Sequence, residues 1–188
     1  MTGPRTSPLE PVIDAIESAS ALDGPASAIG EQVRARLKPG ALKDALSGTW
    51  LGHAVHPILT DVVIGSFTSA TLLDIVGGDA DGRATRRLIA IGIAAYPPTA
   101  LTGVSDWSDS EPADDGVRRA GLVHAVTNAT ALGLYAASLA ARRAGNRGRG
   151  RLLGFGGATA LAAGGYLGGH LSYAKGVGVN RDDFSRQG

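Results

Sequence analysis

Four apolar runs of near-equal length limit what this chain can become. They occupy residues 57–76, 88–107, 120–141 and 152–173. A helix rises about 1.5 Å per residue, so about 20 residues cross the ~30 Å of hydrocarbon in a bilayer. The connectors 78–87, 108–119 and 142–151 are short and polar, and arginines bracket the runs (Arg86, Arg87, Arg118, Arg119, Arg142, Arg143, Arg151). In lipid, backbone polar groups find no water, so helices with internal hydrogen bonds are the structure open to such runs. The expected fold is all-α: an integral membrane four-helix bundle over residues 41–179. A polar, amphipathic extension (1–40) precedes it and a polar tail (180–188) follows. A soluble four-helix bundle is the competing fold. The length, apolarity and even spacing of the runs favour the membrane.

Mean hydropathy over the whole chain is only +0.07, because polar ends dilute the apolar runs. Residues 1–8 are expected to be disordered. Leu9, Val12, Ile13, Ile16 and Leu22 recur at helical spacing, with Asp14, Glu17 and Asp23 between them. Gly24-Pro25 reads as a break. Ile29, Val33 and Leu37 form a second stripe, ended by Pro39-Gly40. Leu42, Leu46 and Trp50 form a third, with Lys43 and Asp44 on its polar side. Such helices either pack, solvated, on the domain or lie in the membrane interface with Trp50 at headgroup level. Residues 1–10 lack the apolar core of a cleavable signal peptide, and none is expected there.

A net charge of +1 does not suggest a nucleic-acid binder, and none is expected as a partner. The absence of cysteine excludes disulfides, thiolate metal sites, iron–sulfur ligation, covalent c-type haem and blue copper.

Antiparallel spans put the start of the first, the end of the second, the start of the third and the end of the fourth on one side. All four histidines fall there: His53 and His56 ahead of the first run, His124 early in the third, His170 late in the fourth. Asp61, Thr102, Asp106, Trp107 and Asn128 share that leaflet. Carboxylates at such depth face protein or water rather than lipid. His124, Asn128 and Tyr135 make one stripe, as do Thr99, Thr102 and Asp106, and Tyr166, His170 and Tyr173. Pro97-Pro98 is expected to kink the second span. Gly164/Gly168 and Gly165/Gly169 are small-xxx-small pairs. They serve close helix packing or leave room for a flat ring.

The motifs occur in a recognisable order. They are Trp-Leu-Gly-His-x-x-His-Pro (50–57), Asp-x-x-Ile-Gly (61–65), Leu-Thr-Gly-x-x-Asp-Trp (101–107), His-Ala-x-x-Asn (124–128) and Gly-Gly-Tyr-Leu-Gly-Gly-His-Leu-x-Tyr (164–173). Over residues 41–179 this set resembles a family of small bacterial four-span membrane proteins of unknown function. The domain of that family also occurs fused to Rieske-type iron–sulfur or c-type cytochrome domains. Ala54 stands where the family usually has proline. The resemblance implies a multi-pass protein of the bacterial cell membrane with a link to electron transfer. It also implies that His53, His56, His124 and His170 occupy the family's histidine positions.

Several readings of the histidines compete. In the first, haem b is held by imidazoles from different helices, with Asn128, Trp107, Tyr166 and Tyr173 around the ligands. His124 and His170 are then the expected axial pair, because their helices are consecutive. In the second, a Zn, Fe or Cu ion is bound by His53, His56, Asp61 and Asp106. In the third, the histidines are purely structural and the chain is a scaffold. A proton or ion relay is a fourth possibility, but the polar groups stop within one leaflet. Ser105 and Ser108 flank Asp106 without a nucleophile-elbow context, so hydrolysis is not expected. The partners implied are the lipid bilayer, a redox partner protein and a second copy in a homo-oligomer. Counting Lys and Arg per side favours an outward-facing histidine side, by a small margin.

Overall fold

The computed structural model describes residues 7–77 and 82–179. Residues 1–6 of the stretch expected to be disordered and the 180–188 tail lie outside the described residues, whereas Ser7 O accepts from Glu10 N–H at 3.0 Å. Within them the chain is all-helical. Seven α-helices follow in order: α1 (Glu10–Glu17), α2 (Asp23–Arg36), α3 (Ala41–Ser47), α4 (His56–Val76), α5 (Arg83–Ser110), α6 (Asp115–Arg143) and α7 (Arg147–Gly169). A π-helical turn, His170–Ala174, continues α7.

Local sequence sets the boundaries. Pro57 sits in the first turn of α4, where its missing N–H would have had no partner. Gly77, at φ +70°, ends the same helix by giving its N–H to Leu73 O at 3.0 Å. Asp114 caps α6 by accepting from the N–H groups of Gly116 (2.7 Å) and Val117 (3.2 Å). Asn146 caps α7 by accepting from Arg149 N–H at 3.1 Å. Pro97-Pro98 does not end α5, which runs from Arg83 to Ser110. Just beyond the prolines, the hydroxyls of Thr99 and Thr102 donate back to Ala95 O and Thr99 O, both at 2.8 Å.

By length and apolarity, α4, α5 and α6 are candidate membrane spans. The sequence suggests four. α7 has 23 residues, but its nine glycines and three arginines dilute its apolarity. Only 28%, 28% and 22% of the apolar windows of α4, α5 and α6 are buried within the chain. Ile58, Leu72, Ile75, Ile91, Leu101 and Val126 therefore point outward. Such a surface suits lipid and would aggregate in water.

α4 packs on α5, and α6 on α7, as two antiparallel hairpins. α5 also lies against α6, and α4 against α7. The four helices thus form a square with α4 and α6 on one diagonal. Its centre holds Val63, Phe67, Ile89, Ala131, Tyr135 and Leu161. The Phe67 and Tyr135 rings stack across the diagonal, with centroids 4.0 Å apart and planes 4° from parallel.

The N-terminal helices sit on the histidine side: α1 and α2 on α6, and α2 and α3 on α5. Gly24-Pro25, read as a break, lies instead in the first turn of α2. Proline suits that position for the reason it suits Pro57. α2 docks through buried Ala26 and Gly30, one turn apart, and this leaves Ile29 exposed.

Candidate functional site

Two histidines on diagonal helices have matching surroundings. His56 opens α4, and its Nδ1 lies 2.9 Å from Thr99 O on α5 and 3.2 Å from Thr102 Oγ1. A carbonyl oxygen only accepts, so Nδ1 carries the proton and the lone pair is on Nε2. Thr60 Oγ1 stands 3.5 Å from Nε2, but its proton goes to His56 O at 2.8 Å. The ring rests on Gly103, where a Cβ would lie 2.6 Å from Cε1. His124, two turns into α6, repeats this on α7. Its Nδ1 donates to Gly164 O at 2.9 Å, which again leaves the lone pair on Nε2. Asn128 Nδ2 lies 3.2 Å from that nitrogen and donates to His124 O at 2.9 Å. The ring rests on Gly168, where a Cβ would lie 2.9 Å from Cε1. The two imidazoles are within electrostatic range of each other.

The other expected residues are placed differently. His170 does not turn toward His124. Its Nε2 meets Glu17 Oε1 of α1 at 2.6 Å. The ring sits two residues past Gly168 and so leaves the face that meets α6. His53 lies exposed in the turn before α4, with Nδ1 3.2 Å from Ala54 O. Asp61 is exposed on the outer face of α4. Asp106 is buried near Gly178. Trp107 is buried against Gly121 and donates Nε1–H to Val117 O at 3.2 Å. Tyr166 approaches Ser7 Oγ at 3.4 Å, and Tyr173 is 91% exposed. Among the described residues, no group of three or more His, Cys, Asp or Glu is placed to hold a metal ion. The structure therefore does not gather His53, His56, Asp61 and Asp106. Gly164 and Gly168, weighed as room for a flat ring, are filled by Asn128 and His124, whereas Gly165 faces open space.

Sequence reading passed over the ionic layer that ties α1–α3 to the bundle. Glu17 bonds His170 and pairs with Lys175 at 2.9 Å, and Lys175 also reaches Asp114 at 3.4 Å. Burial raises the Glu17 pKa, but hydrogen bonds from Lys175 and His170 outweigh it and hold the carboxyl below its usual range. Burial likewise lowers Lys175, and Glu17 and Asp114 together bring it above the usual value. Arg119 clamps Asp23 at 2.6 and 2.7 Å. Buried Glu111 meets Arg34 of α2, and Lys43 of α3 pairs with Asp109 at 2.8 Å. These contacts join residues far apart in sequence, and no local pattern announces them. At the opposite end of the bundle Asp74 and Arg142 form a buried pair, with Nη1 3.0 Å from Oδ1.

No curated protein and no solved structure matches the chain. A model of the family described as a predicted membrane protein (DUF2231) matches residues 52–181, which takes in α4 to α7 and all four histidines. With that much of its length covered, and with three helices apolar and long enough to cross a bilayer, the chain belongs to this membrane-protein family of unknown function.

Proposed function

We propose that the protein is a four-span bundle of the bacterial membrane that binds a b-type haem for membrane electron transfer, which His56 and His124 would hold. One observation carries this. Two imidazoles on diagonal helices each spend Nδ1–H on a backbone carbonyl and so carry no proton on Nε2, which faces Thr60 Oγ1 at 3.5 Å in His56 and accepts from Asn128 Nδ2 at 3.2 Å in His124. A second hydrogen bond of this kind fixes the tautomer and orientation of a metal-ligating histidine. The donor set fits the group, since neutral imidazole nitrogen is a common haem-iron ligand. Bound haem would supply one-electron redox chemistry. The chain's own part is to aim the two nitrogens, exclude water with the outward apolar faces and cap the site with α1–α3. α7 serves as the fourth span in this reading. Its 23 residues reach about 34 Å at helical rise, and it packs along α6. Trp50, 68% exposed, belongs at headgroup level.

The protein extracted in detergent from haem-replete cells should show a Soret band that shifts on dithionite reduction. His56→Ala and His124→Ala should each remove it without displacing the protein from the membrane. A colourless preparation ends the haem reading. Metal analysis of the same sample would then tell a bound Zn, Fe or Cu ion from a purely structural role.

A further inference from the structure

We infer that α4–α5 and α6–α7 are two copies of one helical hairpin, each giving one imidazole to a single site on the pseudo-two-fold axis between them. Treating the two rings as ligands of one metal centre rests on the haem reading; the duplication stands apart from it.

The register carries the inference. His56 and His124 are 68 positions apart, and so are Phe67 and Tyr135, and Asp74 and Arg142. Two of these pairs meet in space, the rings by stacking and the charges by hydrogen bonds, and the imidazoles lie within electrostatic range of each other. Equivalent residues meet one another only beside a two-fold axis. Two such contacts, with the imidazoles at the same offset, make α4 and α6 parallel and in register, with the axis running along the bundle. Parallel repeats about the membrane normal are an established membrane-protein plan.

The second helices of the hairpins agree at a slightly shorter offset of 65. His56 bonds Thr99 O and rests on Gly103; His124 bonds Gly164 O and rests on Gly168. Phe67 lies on Gly92 and Tyr135 on Gly157. The three-residue difference falls in the connectors, so both helix pairs keep their own register. Burial repeats as well: Val63 with Ala131, Ala70 with Ser138 and Ile89 with Gly154 are all buried. Gly77 and Gly145 both take positive φ after the first helix of their hairpin.

At helical rise, the ring pair lies about 16 Å along the axis from the histidines, and the ion pair about 10 Å further. The three rungs thus divide the labour along one line: nitrogen donors at one end, an apolar stack in the middle, a neutralised charge pair at the other. The donors belong to neither hairpin alone. The centre that fits them is one that takes two imidazole ε-nitrogens, either haem iron or a free transition-metal ion.

The chain has no native cysteine, so paired thiols can be placed cleanly. In membranes, a protease site inserted at 78–81 of the full chain separates His56 from His124 after cleavage. The double variant His56→Cys/His124→Cys, treated with a short bis-thiosulfonate linker, should stay joined after cleavage. Thr60→Cys/Asn128→Cys should behave alike, and His53→Cys/His124→Cys should fall apart. In detergent, haemin and Co(II) are then titrated separately, which tells haem from a free ion. One of the two should bind at one equivalent per chain, and His56→Ala and His124→Ala should each reduce it at least tenfold. His53→Ala and His170→Ala should leave it unchanged. Failure of both axial pairs to cross-link overturns the duplication. Cross-linking with neither probe bound leaves the axis standing and removes the metal site. Binding lost in His170→Ala but kept in His56→Ala overturns the shared site and the place of His56 in it, while haem binding by the bundle stands.

Discussion

Arg142 donates two parallel hydrogen bonds to the carboxylate of Asp74, and both side chains are buried. Arg142 also bonds Ser138 Oγ at 3.1 Å, and Arg151 donates to Asp74 O. Removing one partner leaves an unpaired charge out of water. Asp74→Asn or Arg142→Leu should each destabilise the protein by about 3–5 kcal/mol. Asp74→Leu/Arg142→Leu should cost less than the two single losses combined. Thermal unfolding in detergent measures all of these. Additive single losses would show that the two charges do not depend on each other.

Gly103 and Gly168 are the seats of the imidazoles. A methyl group there meets the ring at 2.6 or 2.9 Å. Gly103→Ala and Gly168→Ala should each cost about 1–3 kcal/mol through overpacking. Gly133→Ala, with nothing within 4 Å in the middle of α6, should instead stabilise by about 0.5–1 kcal/mol. The contrast between notch and open positions, read in one unfolding series, is what matters.

The histidine tautomers can be observed directly. Because Nδ1 of both His56 and His124 faces a carbonyl, nitrogen NMR of the ligand-free protein should find both as the Nδ1–H form. A dominant Nε2–H signal for either would contradict the hydrogen bonding that sets the site.

The attachment of α1 should depend on pH. Glu17 has a folded pKa below its usual 4.5. Its contribution is therefore full above 4.5 and lost as pH falls through the lower, folded value. Lys175 has a folded pKa above its usual 10.5. Its contribution is full below 10.5 and lost as pH rises through the folded value. Glu17 faces His170 and Lys175, and Arg119 donates to its backbone carbonyl. Protection of the α1 amides, taken relative to the intrinsic exchange rate at each pH, should be high from about pH 5 to 9 and should fall in strong acid. Glu17→Gln should show quick exchange across that window.

Much of this fold could be read from the sequence. The apolar runs located α4, α5 and α6, and the stripes Thr99–Thr102–Asp106 and His124–Asn128–Tyr135 turned out to face inward, because helical period alone sets which residues share a face. Three things were not legible. The pairing of His124 with His170 followed from chain order, whereas the square arrangement brings His124 opposite His56, two helices away. His170 is claimed by Glu17, 153 residues distant, and periodicity holds no record of such a contact. The glycines of α7 read as a packing stripe, but not as seats for Tyr135, Asn128 and His124. The matched spacings His56–Phe67 and His124–Tyr135 were present in the letters. They gained meaning only once those rings were seen to touch.

The glycine seats have a consequence for any ligand of the two imidazoles. Each ring is held by a carbonyl at one nitrogen and by backbone beneath its carbon edge, so it cannot turn about its own bond to search for a partner. The freedom of both donors is surrendered during folding. Capture of a ligand then requires little further ordering of the protein, and a centre held between two immobile nitrogens has little to rearrange when its charge changes.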